Sequence, residues 1–408
     1  MTRPVPDAFA AADILAARLS TPTAGHTTGR RQPQSLGGGA AGIALLHIER
    51  ARAGHGDPAT AHAWMSVAAR DALSAGPNAT LYFGTPALAF VTHAAADRPE
   101  KYARALADLD AHVVTLTRRR LAAAHARLDR GEPPPLAEFD LIRGLAGLGS
   151  YHLHRHPDHA VTSDVLAYLV RLTKPIAGRD DELPGWWTEV SPNGAESPDF
   201  PGGHGNHGMS HGIAAPLALL SLALRHEVAV PGHTDAIARI CGWLDAWQQD
   251  HPAGVWWPGY LTREQVRHGR LDPSRRHRPS WCYGTPGVAR ALQLAGLATG
   301  DTARQRTAEA AMLGCLRDPG QLDRLTDTGL CHGTAGVLQT ACRMAADAAT
   351  PDLAAELPDL TARLLTQLPD EIDDPEFLDG ATGVALALHT AGTGTGPLSG
   401  WDACLLLA

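Results

Sequence analysis

A chain of 408 residues with 44% hydrophobic and 19% charged residues is long and apolar enough for a sizeable core, which excludes a disordered or fibrous protein. The net charge of −8 argues against a nucleic-acid surface, which needs clustered lysine and arginine. The most basic stretch, Arg275-Arg276-His277-Arg278, is too short to change that.

The segment after Met1 leads into a mildly amphipathic stretch and lacks the apolar core of a signal peptide. From Gly39 onward one pattern recurs: Gly-x-x-Gly, or Gly-x-x-Ala, followed by an apolar helical run. Its copies begin at Gly39, Gly84, Gly144, Gly212, Gly284, Gly333 and Gly380. Glycine there supplies a tight turn into a helix N-terminus and lets backbones crowd together. Second helices with charged faces are expected between the copies, over 58–74, 101–127, 159–174, 233–250, 301–316 and 351–367. A unit of about 45–50 residues holds two helices and two connections, as in helical-repeat folds. Seven apolar helices alternating with amphipathic ones predict an all-α fold, an α/α toroid of seven helical hairpins forming one domain over 1–408. An open solenoid needs polar caps, whereas this chain ends in apolar Cys404-Leu405-Leu406-Leu407-Ala408, which favours a closed ring.

Three longer intervals interrupt the period. Residues 94–139 are read as a small inserted subdomain, a long charged helix followed by the linker Gly131-Glu132-Pro133-Pro134-Pro135. Residues 178–210 and 251–280 are long loops rich in Pro, Gly, His and Trp, of the kind that usually serve function, and they are expected to wall a site. The tryptophan pairs 186–187 and 256–257 are expected to pack these loops on the core. The longest apolar run, Gly212 to Leu224, is too short to span a bilayer. The expected location is the cytoplasm, with a peripheral place at the membrane, through a biosynthetic complex, left open.

Six scattered cysteines do not form a disulfide scaffold. Cys241, Cys315, Cys342 and Cys404 lie on helical stretches with apolar neighbours and read as core thiols. Cys282, in Ser280-Trp281-Cys282-Tyr283-Gly284, and Cys331-His332, in Leu330-Cys331-His332-Gly333, each stand just before a Gly-x-x-Gly turn. Two thiols and one imidazole suit a tetrahedral zinc with its fourth position open, the arrangement of catalytic rather than structural zinc. A toroid places these turns at one end of the inner barrel, which brings the three together and adds His211, just before Gly212, and Asp140, four before Gly144. His204 and His207 lie close enough to His211 to compete for its role.

The W-C-Y-G and C-H-G motifs at Cys282 and Cys331, the Asn206 to Gly212 segment and the sevenfold turn pattern resemble the lanthionine synthetase C family of lanthipeptide cyclases, over roughly residues 35 to 408. The resemblance implies one zinc per chain, held by Cys282, Cys331 and His332. The implied reaction is addition of a peptide cysteine thiol to dehydroalanine or dehydrobutyrine, forming a thioether ring. It also implies that His211 and Asp140 are the catalytic acid/base pair, that Arg278 is the active-site arginine and that Tyr283 lies beside the metal. The implied substrate is a dehydrated precursor peptide. Because the chain carries no dehydratase region, a separate dehydratase is the expected partner, and a transporter is a further candidate.

The chemistry suits these residue types. Two thiolate ligands leave a metal electron-rich, which favours a bound nucleophilic sulfur over activated water. An arginine can stabilise a developing enolate, and a histidine held by a carboxylate can deliver a proton. The plain alternatives are a helix-capping His211, an Asp140 that complements a helix dipole, a solvated Arg278 and a packing Tyr283. Alternative functions are a related protein that adds glutathione or another thiol to activated peptides or proteins, a prenyltransferase-like toroid, or a non-catalytic binding toroid. The Cys-Cys-His set counts against the prenyltransferase, whose usual set is Asp, Cys and His.

Overall fold

The computed structural model describes residues 4–22, 32–176, 183–271, 276–369 and 374–408. In chain order the helices are α1 (Pro6–Arg18), α2 (Ala40–Arg52), α3 (Pro58–Ala68), α4 (Thr85–Ala95), α5 (Ala103–Asp129) and α6 (Leu136–Phe139). Then come α7 (Leu145–Arg155), α8 (Ala160–Leu172), α9 (Ala214–Arg225), α10 (His233–Ala246), α11 (Arg263–His268) and α12 (Thr285–Thr299). The last are α13 (Thr302–Leu316), α14 (Pro319–Leu322), α15 (Thr334–Asp347), α16 (Asp352–Gln367) and α17 (Ala381–Thr393). Two three-residue strands, β1 (His204–Asn206) and β2 (Tyr260–Thr262), pair antiparallel with Gly205 opposite Leu261.

Each of the seven glycine turns opens a helix: α2, α4, α7, α9, α12, α15 and α17. These inner helices are buried nearly all round, as in α9, where every residue from Ala214 to Ala223 is buried. The helices between them bury one stripe only. In α16 it is Leu353, Leu357, Leu360, Thr361 and Leu364, the spacing of one helical face. Gly84 and Gly284 lie at φ of 76° and 121°, backbone that side chains rarely adopt, and both precede a Thr-Pro that opens the helix. The second glycine of the motif has a different reason. A Cβ on Gly42, Gly287, Gly336 or Gly383 would collide with the carbonyl oxygen of the residue six earlier, respectively Leu36, Trp281, Leu330 and Phe377.

The chain divides into two compact units, Met1–Val114 with Asp318–Ala408, and Thr115–Arg317, the division falling within α5. In the first unit the inner helices pack in the succession α15, α17, α2, α4, with α16 on α15, α1 on α17 and α3 on α2. The first and last repeats are therefore neighbours. The C-terminal tail finishes this unit from inside, since Trp401, Leu405, Leu406 and Leu407 are buried. Tyr82 donates its hydroxyl to the Cys404 carbonyl at 2.8 Å. Asp402, fully buried, accepts two bonds from Arg343 at 2.6 and 2.7 Å and one from Gln339. In the second unit α7, α9 and α12 pack in succession, covered by α8, α10 and α13. Trp186, Trp187, Trp256 and Trp257 are all buried here, fastening the long loops to the helices as their composition suggests.

Within each unit the turns are stitched together by backbone hydrogen bonds whose acceptor stands at one recurring position, five residues before the second motif glycine or its alanine, and whose donor stands five or six before its own. Cys331 N donates to Leu378 O (2.9 Å), Leu378 N to Gly37 O (3.1 Å) and Leu36 N to Tyr82 O (2.9 Å). In the second unit Leu141 N donates to Ser210 O (3.2 Å) and Met209 N to Cys282 O (2.9 Å). Cys282 and Cys331 thus occupy the same place in consecutive repeats.

Some boundaries differ from those expected. The outer helices 58–74 and 233–250 end early, at Ala68 and Ala246, and the fourth inner helix starts after Ile213 rather than at the glycine. Residues 94–139 hold α6 and the 27-residue α5. Among the described residues no helix is long and apolar enough to cross a membrane.

Candidate metal centre and its surroundings

Cys282 is set by a tight turn. Ser280 donates its hydroxyl to the Tyr283 carbonyl at 2.7 Å, buried Trp281 anchors the loop, and Gly284 turns the chain into α12. The thiol is 2% exposed and lies 3.4 Å from Ser280 Oγ. Cys331 and His332 stand on the corresponding turn before α15, where a bond from Gly333 N to Gly329 O closes the loop. His332 Nε2 lies 3.8 Å from a carboxylate oxygen of Asp379. The ligand atoms of Cys282, Cys331 and His332 all fall within 4.8 Å of one another. Metal–ligand bonds of about 2.0–2.3 Å in a tetrahedron place ligand atoms roughly 3.5–3.8 Å apart. A Cys-Cys-His cluster of this size can hold a metal.

The remaining cysteines have other surroundings. Cys241, Cys315, Cys342 and Cys404 are all buried, and burial pushes the thiols of Cys241 and Cys342 up to about 12. Such thiols are inert.

His211 Nδ1 is 2.6 Å from Asp140 Oδ2. Asp140 is 1% exposed, and its other oxygen accepts the backbone N–H groups of Arg143 (2.6 Å) and Gly144 (2.8 Å) at the start of α7. One carboxylate therefore does two jobs, closing the turn that leads into α7 and fixing an imidazole. Each oxygen is held, so the His211 tautomer with hydrogen on Nδ1 is the favoured one and Nε2 is left for chemistry. The backbone bonds of Leu141 to Ser210 and of Met209 to Cys282 hold these three segments in register.

The competing histidines are separated from His211 by their partners. Both are completely buried, and burial lowers each to about 4. His207 donates from Nδ1 to Pro258 O (2.9 Å) and accepts the indole N–H of Trp243 on Nε2 (2.8 Å). His204 is bonded on Nδ1 to Val190 O (2.7 Å) and on Nε2 to Asn206 (3.3 Å). Neither has a nitrogen to spare.

Tyr283 accepts a hydrogen bond on its hydroxyl from Asn206 Nδ2 at 3.0 Å, while Asn206 Oδ1 accepts Gly208 N–H. Of the basic cluster, Arg276 lies over the Trp256 ring (5.6 Å), His277 stacks on Tyr283 (6.3 Å) and Arg278 is half-buried on the loop leading to Cys282. Arg275 lies outside the described residues. Sequence reasoning did not assign a role to Asn206 or His277. The only available signal for either was its nearness to a motif residue, because their partners come from loops fifty or more residues away or from across the Cys282 turn.

The comparisons with known proteins agree on one kind of relative. The model of the family described as lanthionine synthetase C-like protein matches residues 31–406. The nisin biosynthesis protein NisC of Lactococcus lactis subsp. lactis is 23% identical over 265 residues, 64% of this chain and 60% of NisC, so the match spans about three fifths of that relative. The solved structure of nisin cyclase matches 98% of this chain, and 96% of its own, with a TM-score of 0.77 at 20% identity. That likeness shows the fold, an all-α α/α toroid, as the sevenfold turn pattern predicts.

Proposed function

From the premise that the chain belongs to the lanthionine synthetase C-like family, we propose that it is a zinc-dependent cyclase that adds cysteine thiols of a precursor peptide to dehydroalanine or dehydrobutyrine. The observation that carries this reading is the Cys282–Cys331–His332 cluster, in a chain whose bonded His211–Asp140 pair is stitched to the Cys282 turn. Three soft and borderline donors, two of them sulfur, fit zinc and leave one position for a further ligand. Bound there, zinc would supply a thiolate at neutral pH from the substrate cysteine, whose free thiol is mostly protonated.

The chain's own residues account for the rest of the addition. The sulfur forms a bond to the β-carbon of the dehydro residue, and the double-bond electrons move toward the α-carbon and its carbonyl oxygen. Arg278 offers a permanent positive charge for that oxygen. His211 takes the thiol's proton on Nε2 and then delivers it to the α-carbon, and Asp140 holds the imidazole while it is charged. Tyr283, whose hydroxyl accepts Asn206 Nδ2, follows Cys282 directly in the chain. The net change is addition of S–H across a carbon–carbon double bond, which leaves the peptide mass unaltered.

The test is therefore made on thiols and on metal. The chain should bind close to one zinc, Cys282→Ala should lose it, and the dehydrated precursor should lose alkylatable thiols only with the parent protein. Unchanged zinc in Cys282→Ala would overturn the metal assignment. Glutathione adducts with no ring closure would transfer the reading to thiol addition on activated peptides or proteins. A separate dehydratase, as supplier of the dehydro residues, is part of this proposal.

A further inference from the structure

A cavity of about 570 Å³ opens in the second unit, lined among others by Phe200, Trp256, Tyr260, Thr262, Gln265 and His277. Its wall is built from rings in contact. Phe200 meets Tyr260 edge-on at 5.3 Å, Tyr260 meets His277 edge-on at 5.1 Å, and His277 stacks on Tyr283 at 6.3 Å. Tyr283 is the residue after Cys282, so a continuous row of rings runs from the cavity to the candidate metal centre. The wall is also stiff. Tyr260 and Thr262 sit on β2, paired to β1, and Gly259 is closed in by His277 and Tyr283.

Part of the polar surface on this wall is already used. Thr262 N donates to Gln265 Oε1 (2.8 Å) and Gln265 N to Thr262 Oγ1 (3.3 Å), a reciprocal cap on α11. What remains for an occupant is ring faces, with the Tyr260 hydroxyl and the Gln265 amide nitrogen beside them and the exposed Asp199 at the rim to repel a carboxylate. Ring faces with a few polar groups among them are the chemistry of a pocket for a bulky side chain, an aromatic one above all. A peptide spans roughly 3.3–3.6 Å per residue, so a residue two to four positions from the reacting cysteine reaches about 7–14 Å, the scale of two ring-to-ring steps.

We propose that this cavity is a specificity subsite that takes an aromatic or large aliphatic side chain lying two to four residues from the substrate cysteine, and so helps to select which cysteine is added. The inference rests on the thioether-forming reading above. Phe200, half-buried on a loop, can be changed in both directions with little risk to the fold. Labelled peptides in which the cysteine is replaced by serine cannot react, so they report binding alone to the zinc-loaded full chain. Peptides with Phe or Leu at the flanking positions should bind about tenfold tighter than those with Ala, the usual size of such discrimination, and Asp should bind weakest. Phe200→Ala should reduce the preference for Phe to about twofold. Phe200→Trp, which narrows the cavity, should lose Phe while keeping Leu. Equal binding of all peptides by the parent, or an unchanged preference in both variants, would overturn the subsite. Thiol loss from a dehydrated peptide is followed in parallel. If the parent shows none, the cyclase reading itself falls, whereas ring formation without a flanking preference removes the subsite alone.

Discussion

At the scale of single residues, the division of labour among three neighbouring histidines follows from their hydrogen bonds. His204 and His207 have both ring nitrogens occupied inside the protein, and His211 has one nitrogen tied to Asp140 and the side chain 28% exposed. Their sequence spacing could not separate them, because the deciding partners, Val190, Pro258, Trp243 and Asp140, come from four distant segments. His211→Asn should therefore lower the rate of thioether formation by about 10²–10⁴-fold, the range for losing a general acid, with zinc content unchanged. Zinc lost from that variant would make His211 a ligand or a structural residue. Cys282, Cys331 and His332 were legible as a group because each stands at a repeat's turn, a local signal.

At the scale of elements, the turn motif proves to be two devices. The first glycine starts the helix, and the second clears space for a carbonyl of the preceding loop. At Cys282 and Cys331 that carbonyl belongs to the residue immediately before the thiol, Trp281 and Leu330. Gly336→Ala should thus push Leu330 and displace Cys331, lowering zinc affinity by tenfold or more and destabilising the fold by about 1–3 kcal/mol, typical of overpacking. Metal titration with thermal unfolding checks both; zinc affinity as in the parent would show that the loop yields elsewhere. The seven inner helices and most of their outer partners could be read from period and composition. The role of α1 could not, since it packs on α17, the last repeat in the chain. Nor could β1 and β2, each only three residues long and joined across more than fifty residues of chain.

At the scale of the whole molecule, buried neutral histidines set a response to acid. His47, His204, His207 and His389 are each lowered to about 4, desolvation being the first cause in every case. The unfolded chain binds protons on these groups below pH 6.5, and the folded chain does so only near pH 4. Their contribution to stability is therefore complete above pH 6.5 and is lost as pH falls through that window, by up to about 1.4 kcal/mol per pH unit for each imidazole. Urea midpoints at pH 7, 6 and 5 should fall steadily; a flat profile would show that these rings are not held neutral. The fold itself follows from the regular repeats.

The bond from Leu378 N to Gly37 O joins the first repeat to the last and carries a consequence for biosynthesis. Residues 115–317 are contiguous, so the second unit has all its parts once they have left the ribosome. The first unit has two pieces, and α2 cannot meet α17 until residues 381–393 have been made. Its earliest apolar helices, covered in part by α3, must wait for the repeat at α17 and the buried tail to complete their packing. A chain broken off before Ala381 would leave them without the partner they were made to meet.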